Sequence, residues 1–513
     1  MDLLKHFSIL EDKGWFFNRH GPLERLDALR KIVAHGEWRL IDRLIPFLND
    51  RDREIQIGAA DAISQLLKTV STKNLYESLK YCRISTSDIE QFRNRFSADH
   101  YVDLLLIASF NHNGYVREKA VVELGRSGNG KAIQPLIYRL GDWVPNVRSA
   151  ALRAIDEFKH PDYVDSFIAN ISDLERLKRI ERIDLNLIYD SLVYYLIVDN
   201  REHLRASFRS YSEKTRQTLA KHISRSSNIT RADLSLLLTD RNPFVRSLAL
   251  DRFEELSETD IRNLLKDKAS VVRLKTLRNL TSSPDFLTIV RPFLTDGSTA
   301  IRQFTRFHLR DEVSRFAGLY ATNLSDGRQV LSSLLGLAEV DGKEFTSMIE
   351  RYLDDPNIKI RRSALKALAV LNPEKAKAVA ISYLDNDDPG LRRISARLFD
   401  RRPSPAIVLR CRAIFRAGSS ELKGEMLNLF GRIGGWTGIG EIVKATVDEN
   451  EEIRELAVNL LHRWVRKAST LFVRPTSEEL HELRSTVSDV YAKHERKRYF
   501  HTNPLEGFNF YLG

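Results

Sequence analysis

Cysteine is nearly missing from this 513-residue chain. Cys82 and Cys411 are the only two, too few for a disulfide framework or a four-thiolate metal site. No stretch of 18 uncharged apolar residues occurs, which argues against a membrane-spanning helix. The first residues, MDLLKHFSILEDKGW, have an acid at position 2 and only a short apolar stretch, so they do not read as a secretion signal. Glycine (24) and proline (15) are too scarce for collagen-like or low-complexity sequence, and 42% hydrophobic residues are too many for a disordered chain. Together these absences lead to the expectation of a cytoplasmic globular protein. The charge is unbalanced: 80 Lys and Arg against 69 Asp and Glu give +11. That excess hints at an acidic partner without fixing one.

A repeat of about thirty residues runs through the sequence. In Val147-Arg148-Ser149-Ala150-Ala151-Leu152-Arg153-Ala154-Ile155, the anchor Arg148 follows an apolar residue, with a small residue at +3 and an apolar one at +7. Asp142 lies at −6. The frame recurs at Arg117, Arg246, Arg273, Arg302, Arg361, Arg392 and Arg454, with the anchor replaced at Gln56 and Lys423. Weaker units start at Arg25 and Arg216. Four of the intervals are 31 residues long: 117 to 148, 361 to 392, 392 to 423 and 423 to 454. Each unit reads as two helices. In the clearest one, residues 131–140 form the first helix, 141–146 the turn, and 146–158 the second helix. Positions −1, +4 and +7 fall on one helical face, and the small +3 residue admits a neighbouring helix. A helix pair this short cannot bury its apolar face alone, so the pairs must stack.

Glu123 to Ile137, followed by Asp142…Val147-Arg148, resembles the short HEAT-like repeat also seen in phycobilisome lyases. Phe430-Gly-Arg-Ile-Gly-Gly435, with Asp448…Ile453-Arg454, resembles it too. The resemblance covers about residues 20–470. It implies an all-α solenoid of about 14 helix pairs in an elongated curved superhelix. It also implies that the loop Asp and the helix Arg form a ladder between neighbouring units, so these residues read as scaffold. The expected organisation is an N-terminal cap over 1–20, the solenoid over 21–470, and a C-terminal helix with an aromatic tail over 471–513. Within the solenoid, 72–104, 160–200 and 318–345 read as degenerate repeats with longer helices. The Trp15-Phe16-Phe17 cluster reads as a cover for the first repeat.

No catalytic, cofactor or metal constellation emerges. The 13 histidines lack ligand spacing, and Gly434-Gly435-Trp436-Thr437-Gly438-Ile439-Gly440 has neither the strand nor the Gly-Lys-Ser/Thr that a phosphate loop needs. The five tryptophans are dispersed. Asp142 with Trp143 is the one pairing that could imitate the cleft of HEAT-like alkylpurine DNA glycosylases, and loop packing is the favoured reading of both.

Charge concentrates at residues 390–418, which hold eight arginines and one acid, Asp400. Arg392 is an anchor. The others, Arg393, Arg397, Arg401, Arg402, Arg410, Arg412 and Arg416, join Lys359, Arg362 and Lys366 of the preceding unit as a candidate stripe for a polyanion. Arg362 and Arg393 share one repeat position and should align. The competing reading pairs these arginines with Asp385, Asp387 and Asp388. Thr476 and Glu479 are spaced as a capping box for a last helix running to about Arg498. The tail beyond it carries Tyr499, Phe500, Phe508, Phe510 and Tyr511, which either fold back over the last repeat or dock on a partner.

The function that follows is a non-enzymatic scaffold or adaptor holding a protein partner in a concave face. The alternative is a nucleic-acid-binding subunit of a DNA- or RNA-processing assembly using the 359–416 stripe. A glycosylase or lyase comes third.

Overall fold

The computed structural model describes residues 3–11, 20–70, 79–399, 403–468, 474–500 and 502–512. Every regular element among them is helical. The chain divides into two compact units, residues 1–279 and 280–513. A continuous apolar core runs from Phe7 to Val272 in the first unit. In the second, a core runs from Leu384 to Leu512.

The repeat frame sets the packing. All ten +3 residues, from Ala59 through Ala120, Ala151, Ala249, Thr276, Thr305, Ala364, Ser395 and Met426 to Ala457, are at most 1% exposed. Small side chains there let the next helix approach closely, and Met426 shows that the site tolerates a flexible long one. The +7 residues are buried except Phe253 and Phe399, which are half-buried. Arg252 leaves helical geometry (φ −119°, ψ 46°) just before Phe253, and the helix Pro389–Arg397 ends before Phe399. The clearest unit matches its expected boundaries: a turn of tight helix at Gly130–Ala132, then Ile133–Arg139, then Pro145–Glu157.

The anchor residues tie one repeat to the next. Arg117 places Nε and Nη2 on both oxygens of Asp142, at 2.9 and 2.8 Å. Arg246 grips Asp267 in the same way, at 2.6 and 2.7 Å. Arg25 holds Asp50 (2.7 Å), and Arg216 holds Asp240 (2.9 Å). Each carboxylate belongs to the loop of the following repeat. The remaining guanidinium nitrogen turns back to its own loop: Arg117 Nη1 donates to the carbonyls of Asn111 and His112, at 3.0 and 2.9 Å. Arg148, Arg246, Arg273, Arg361, Arg392 and Arg454 repeat that contact. The two altered anchors each keep one half of the arginine's work. Gln56 donates to the Asp50 carbonyl (2.7 Å), and Lys423 pairs with Asp448 (2.9 Å).

The −6 acid also shapes its own loop. Its Oδ1 accepts the backbone N–H two residues on, as at Asp142 with Val144 (2.9 Å) and Asp240 with Asn242 (2.7 Å). The helix cap itself is the −4 residue: Asp52, Asn113, Asn242 and Asn357 each accept the N–H two residues on. One carboxylate therefore closes a turn and joins two repeats.

Three stretches depart from the frame. Residues 86–108 form an ordinary pair, Thr86–Arg95 and Ala98–Ala108. Residues 164–199 are not longer helices but short ones, Val164–Ala169, Ile171–Leu177 and Asn186–Tyr194, because the chain bends at Asn170 and again between Lys178 and Leu185. Val313–Ser325 and Val330–Glu339 are joined by a turn in which Gly327 and Gln329 have positive φ.

At the start of the chain, Leu3–Glu11 buries Phe7 and Leu10, and the Leu10 carbonyl accepts Arg25 Nε at 3.1 Å. Trp15, Phe16 and Phe17 lie outside the described residues. The glycine run 434–440 is no phosphate loop. Gly434, with φ +62°, ends one helix and starts Gly435–Ala445, and a Cβ on Gly438 would lie 2.4 Å from the Phe430 carbonyl oxygen. Glycine is there for close packing.

Candidate interaction surfaces

The arginine-rich window divides into two sets. In the first, the side chains are spent on neighbouring acids. Arg362 Nε donates to Asp388 Oδ1 (2.7 Å) and its Nη2 to Asp388 Oδ2. Asp388 also caps the helix Pro389–Arg397, and the Arg362 hydrogen bond holds its carboxyl below the ordinary range. Gly390 makes room for this, since a Cβ there would collide with the Arg362 guanidinium. Arg392 joins Glu421 and Glu425, both at 2.6 Å. Arg410 meets Asp385 at 2.6 Å, and Arg412 lies 2.9 Å from Glu441. Arg362, expected to stand beside Arg393, is held in an ion pair to the cap of the next helix.

The second set is open. Lys359, Lys366, Arg393, Arg397 and Arg416 are exposed, and among the described residues none of them pairs with a carboxylate. Arg397 stands near Arg432, whose pKa is lowered by burial and then by the charge of Arg397. The sequence reading missed Arg432, although its place one repeat after the arginine window was a usable signal. Arg401 and Arg402 lie outside the described residues.

The tail folds onto the last repeat. The helix Ser477–Lys497 starts with the capping box of Thr476 and Glu479. Beyond it Phe508 and Leu512 are buried against Trp464 and the helix residues Leu483, Val487 and Val490. Trp464 is the centre: its ring lies 5.4 Å from Trp436, 5.6 Å from Phe508 and 5.8 Å from Tyr511, and its Nε1 donates to the Gly435 carbonyl (2.9 Å). Arg484 donates to the Leu512 carbonyl (2.7 Å). Tyr499 and Phe500 flank the buried His494, which meets Thr446 Oγ1 at 2.9 Å. Tyr499 also lies under the anchor Arg454, 4.5 Å from its guanidinium carbon. Phe510 alone of the five aromatics points outward, 85% exposed.

Asp142 and Trp143 do not form a cleft. The Asp142 side chain is turned inward to Arg117 and Arg139 and is 1% exposed. Trp143 is turned outward, 74% exposed, with the Arg182 guanidinium 4.2 Å above its ring. Arg182 carries no repeat signal, because it lies in the irregular stretch after Leu177. Both cysteines are buried and unpaired, and burial pushes each thiol up to about 11, so neither is poised as a nucleophile. Among the described residues no helix is long and apolar enough to cross a membrane.

A family model for HEAT repeats matches residues 102–181. No curated protein sequence matches the chain. Solved structures similar to it include Kap95p with RanGDP (11% identity, TM-score 0.31, 100% of this chain and 67% of that one). Others are a Kap121p variant (13%, 0.29, 91% and 55%) and the S. pombe condensin Cnd3–Cnd2 subcomplex (13%, 0.34, 100% and 84%). The chain therefore spans about half to four-fifths of these chains. The fold rests on what the chain itself displays. The family match includes the Arg117–Asp142 rung, and the anchor's contact with its own loop carbonyl recurs from Arg117 to Arg454, so the all-α helix pairs outside 102–181 share a contact with the stretch that matches HEAT repeats.

Proposed function

We propose that the chain is a non-enzymatic intracellular scaffold or adaptor that binds a protein partner on the exposed side of its repeats. The observation that carries this reading is a set of exposed apolar side chains at one repeat position, two of them in consecutive repeats. Tyr115, Phe244 and Val271 each stand two residues before an anchor and are exposed. Apolar side chains repeated in one register on a rigid ladder suit a partner that spans several repeats. Affinity capture from the native source tests the reading. Partner proteins should survive nuclease treatment and be depleted by Tyr115→Ser with Phe244→Ser. Loss of every partner on nuclease treatment would overturn it.

A second reading, nucleic-acid binding, is favoured by the unpaired Lys359, Lys366, Arg393, Arg397 and Arg416. It predicts DNA or RNA binding that weakens steeply with salt, with a shallower salt slope for Arg393→Glu with Arg397→Glu. Unchanged affinity in that double variant would remove it.

A further inference from the structure

The ladder supplies a template for what its anchors receive. Where the next repeat carries a loop Asp, the anchor's open edge takes that carboxylate, as Arg117 takes Asp142. Arg148 keeps the carbonyl half of the pattern, donating to Asp142 O (2.9 Å) and Trp143 O (3.1 Å). The irregular stretch after it brings no Asp to the other edge. It brings Arg182, which donates to the Gly141 carbonyl and stacks on Trp143. The two guanidiniums thus hold the backbone of one loop, with an exposed tryptophan between them.

No carboxylate at hand can serve them. Asp142 is saturated: its two oxygens accept from Arg117 Nε and Nη2, Arg139 Nη1 and the Val144 N–H, at 2.7–2.9 Å. Glu181 and Asp184 flank Arg182 in the chain, yet neither pairs with it or with Arg148 among the described residues. The Asp142 carboxylate is thus committed to Arg117 and Arg139, while Arg148 and Arg182 hold only backbone carbonyls of the same loop. Burial pushes Arg139 down to about 10, opposed by Asp142, with the charges of Arg117 and Arg176 adding to the fall.

We infer that Trp143, Arg148 and Arg182 form a docking site for an Asp or Glu side chain of a partner protein, received at the open edge of Arg148 as Asp142 is received by Arg117. This deepens the protein-binding reading and rests on it. The planar fork of arginine fits a carboxylate through two parallel hydrogen bonds. Tryptophan and arginine are also the side chains that most often anchor protein interfaces.

Fluorescence anisotropy on the full chain tests the site, with a short fluorescein-labelled peptide of alternating Gly and Asp and its Gly–Asn counterpart. The Asp peptide should bind and the Asn peptide should not. Arg148→Gln and Arg182→Gln should each weaken binding about tenfold, the scale of one lost charge-assisted contact. Arg148→Lys, which keeps the charge but not the fork, should recover only part of it. Thermal melts of the same variants should stay within a few degrees of the unaltered chain, about the shift of 1 kcal/mol, and Arg393→Glu with Arg397→Glu should bind normally. No binding by the unaltered chain, or equal binding by all variants, overturns the inference. So does a single-stranded oligonucleotide that binds more tightly than the peptide and is lost in the same variants. If Arg148→Gln with Arg182→Gln still captures nuclease-resistant partners at full level, this site falls and the protein-binding reading stands.

Discussion

Residues 3–279 and 280–512 keep the same repeat frame but join their repeats differently. In the first unit a loop Asp does two things at once: Asp142 and Asp240 each close their own turn and accept the anchor of the preceding repeat. In the second unit the two jobs are mostly separated. Asp355 and Asn386 still close their turns, at 2.8 and 3.0 Å. The anchors look elsewhere for a carboxylate. Arg302 and Arg306 share Glu339, Arg392 takes Glu421 and Glu425, and the residue beside Arg361, not Arg361 itself, takes Asp388. Lys423 with Asp448 keeps the pattern of the first unit. A glutamate on a helix can supply the charge from more than one register, so loop sequence is freed from the inter-repeat contact. The comparison teaches that the repeat conserves a placement of charge more strictly than the residue providing it.

The largest expected effect comes from removing a dual-purpose rung. Arg117→Met leaves Asp142 buried without its main partner and should cost about 3–5 kcal/mol. Hydrogen exchange followed by mass spectrometry should show lost protection over 111–148 and none over 420–464. Equal loss in both segments would dissolve the contrast between the units. Next, Phe508→Ala removes an aromatic packed against Trp464 and should cost about 3 kcal/mol, confined to the second unit. If that variant keeps full protection over 435–464, the tail is not a structural cover.

Acid should produce the smallest difference. Burial alone would raise Asp142, Asp267 and Glu339, but the hydrogen bonds of their arginine partners reverse it and hold all three below their ordinary range. The Arg231 hydrogen bond brings Asp260 down to about 2. Such depressed groups contribute stability that is complete above their unfolded values, about 3.9 for Asp and 4.3 for Glu, and is lost as pH falls through the folded values. Both units should therefore lose a little stability as pH falls from 7 to about 5, where burial keeps His222 and His494 from taking up the proton they bind when unfolded, and weaken further below about 4 as the carboxylate rungs protonate. Loss should begin slightly sooner in the second, where Glu339 carries a rung. Full stability retained below about pH 3 would contradict the carboxylate assignments.

Much of this architecture could be read from the residues. The small +3 position and the anchor reveal themselves because a close helix approach and a bidentate contact each tolerate few side chains. Arg25 and Arg216, weak in the repeat pattern, make full rungs with Asp50 and Asp240. Other features depended on distances that no spacing carries. Arg361 and Arg362 are adjacent, and nothing in the sequence says which one reaches a carboxylate. The tryptophans look scattered, yet Trp436 and Trp464 pack at 5.4 Å because they lie 28 residues apart, about one repeat. Arg182 was invisible for the opposite reason: the bends at Asn170 and after Leu177 break the register that would have placed it.

The central claim is that an anchor arginine is structural where it meets a carboxylate and available to a partner where it does not. Urea unfolding of Arg117→Gln and Arg148→Gln, measured side by side, tests it most directly. The account predicts a loss of about 3–5 kcal/mol for Arg117→Gln and less than about 1 kcal/mol for Arg148→Gln. Equal losses in the two variants would contradict it.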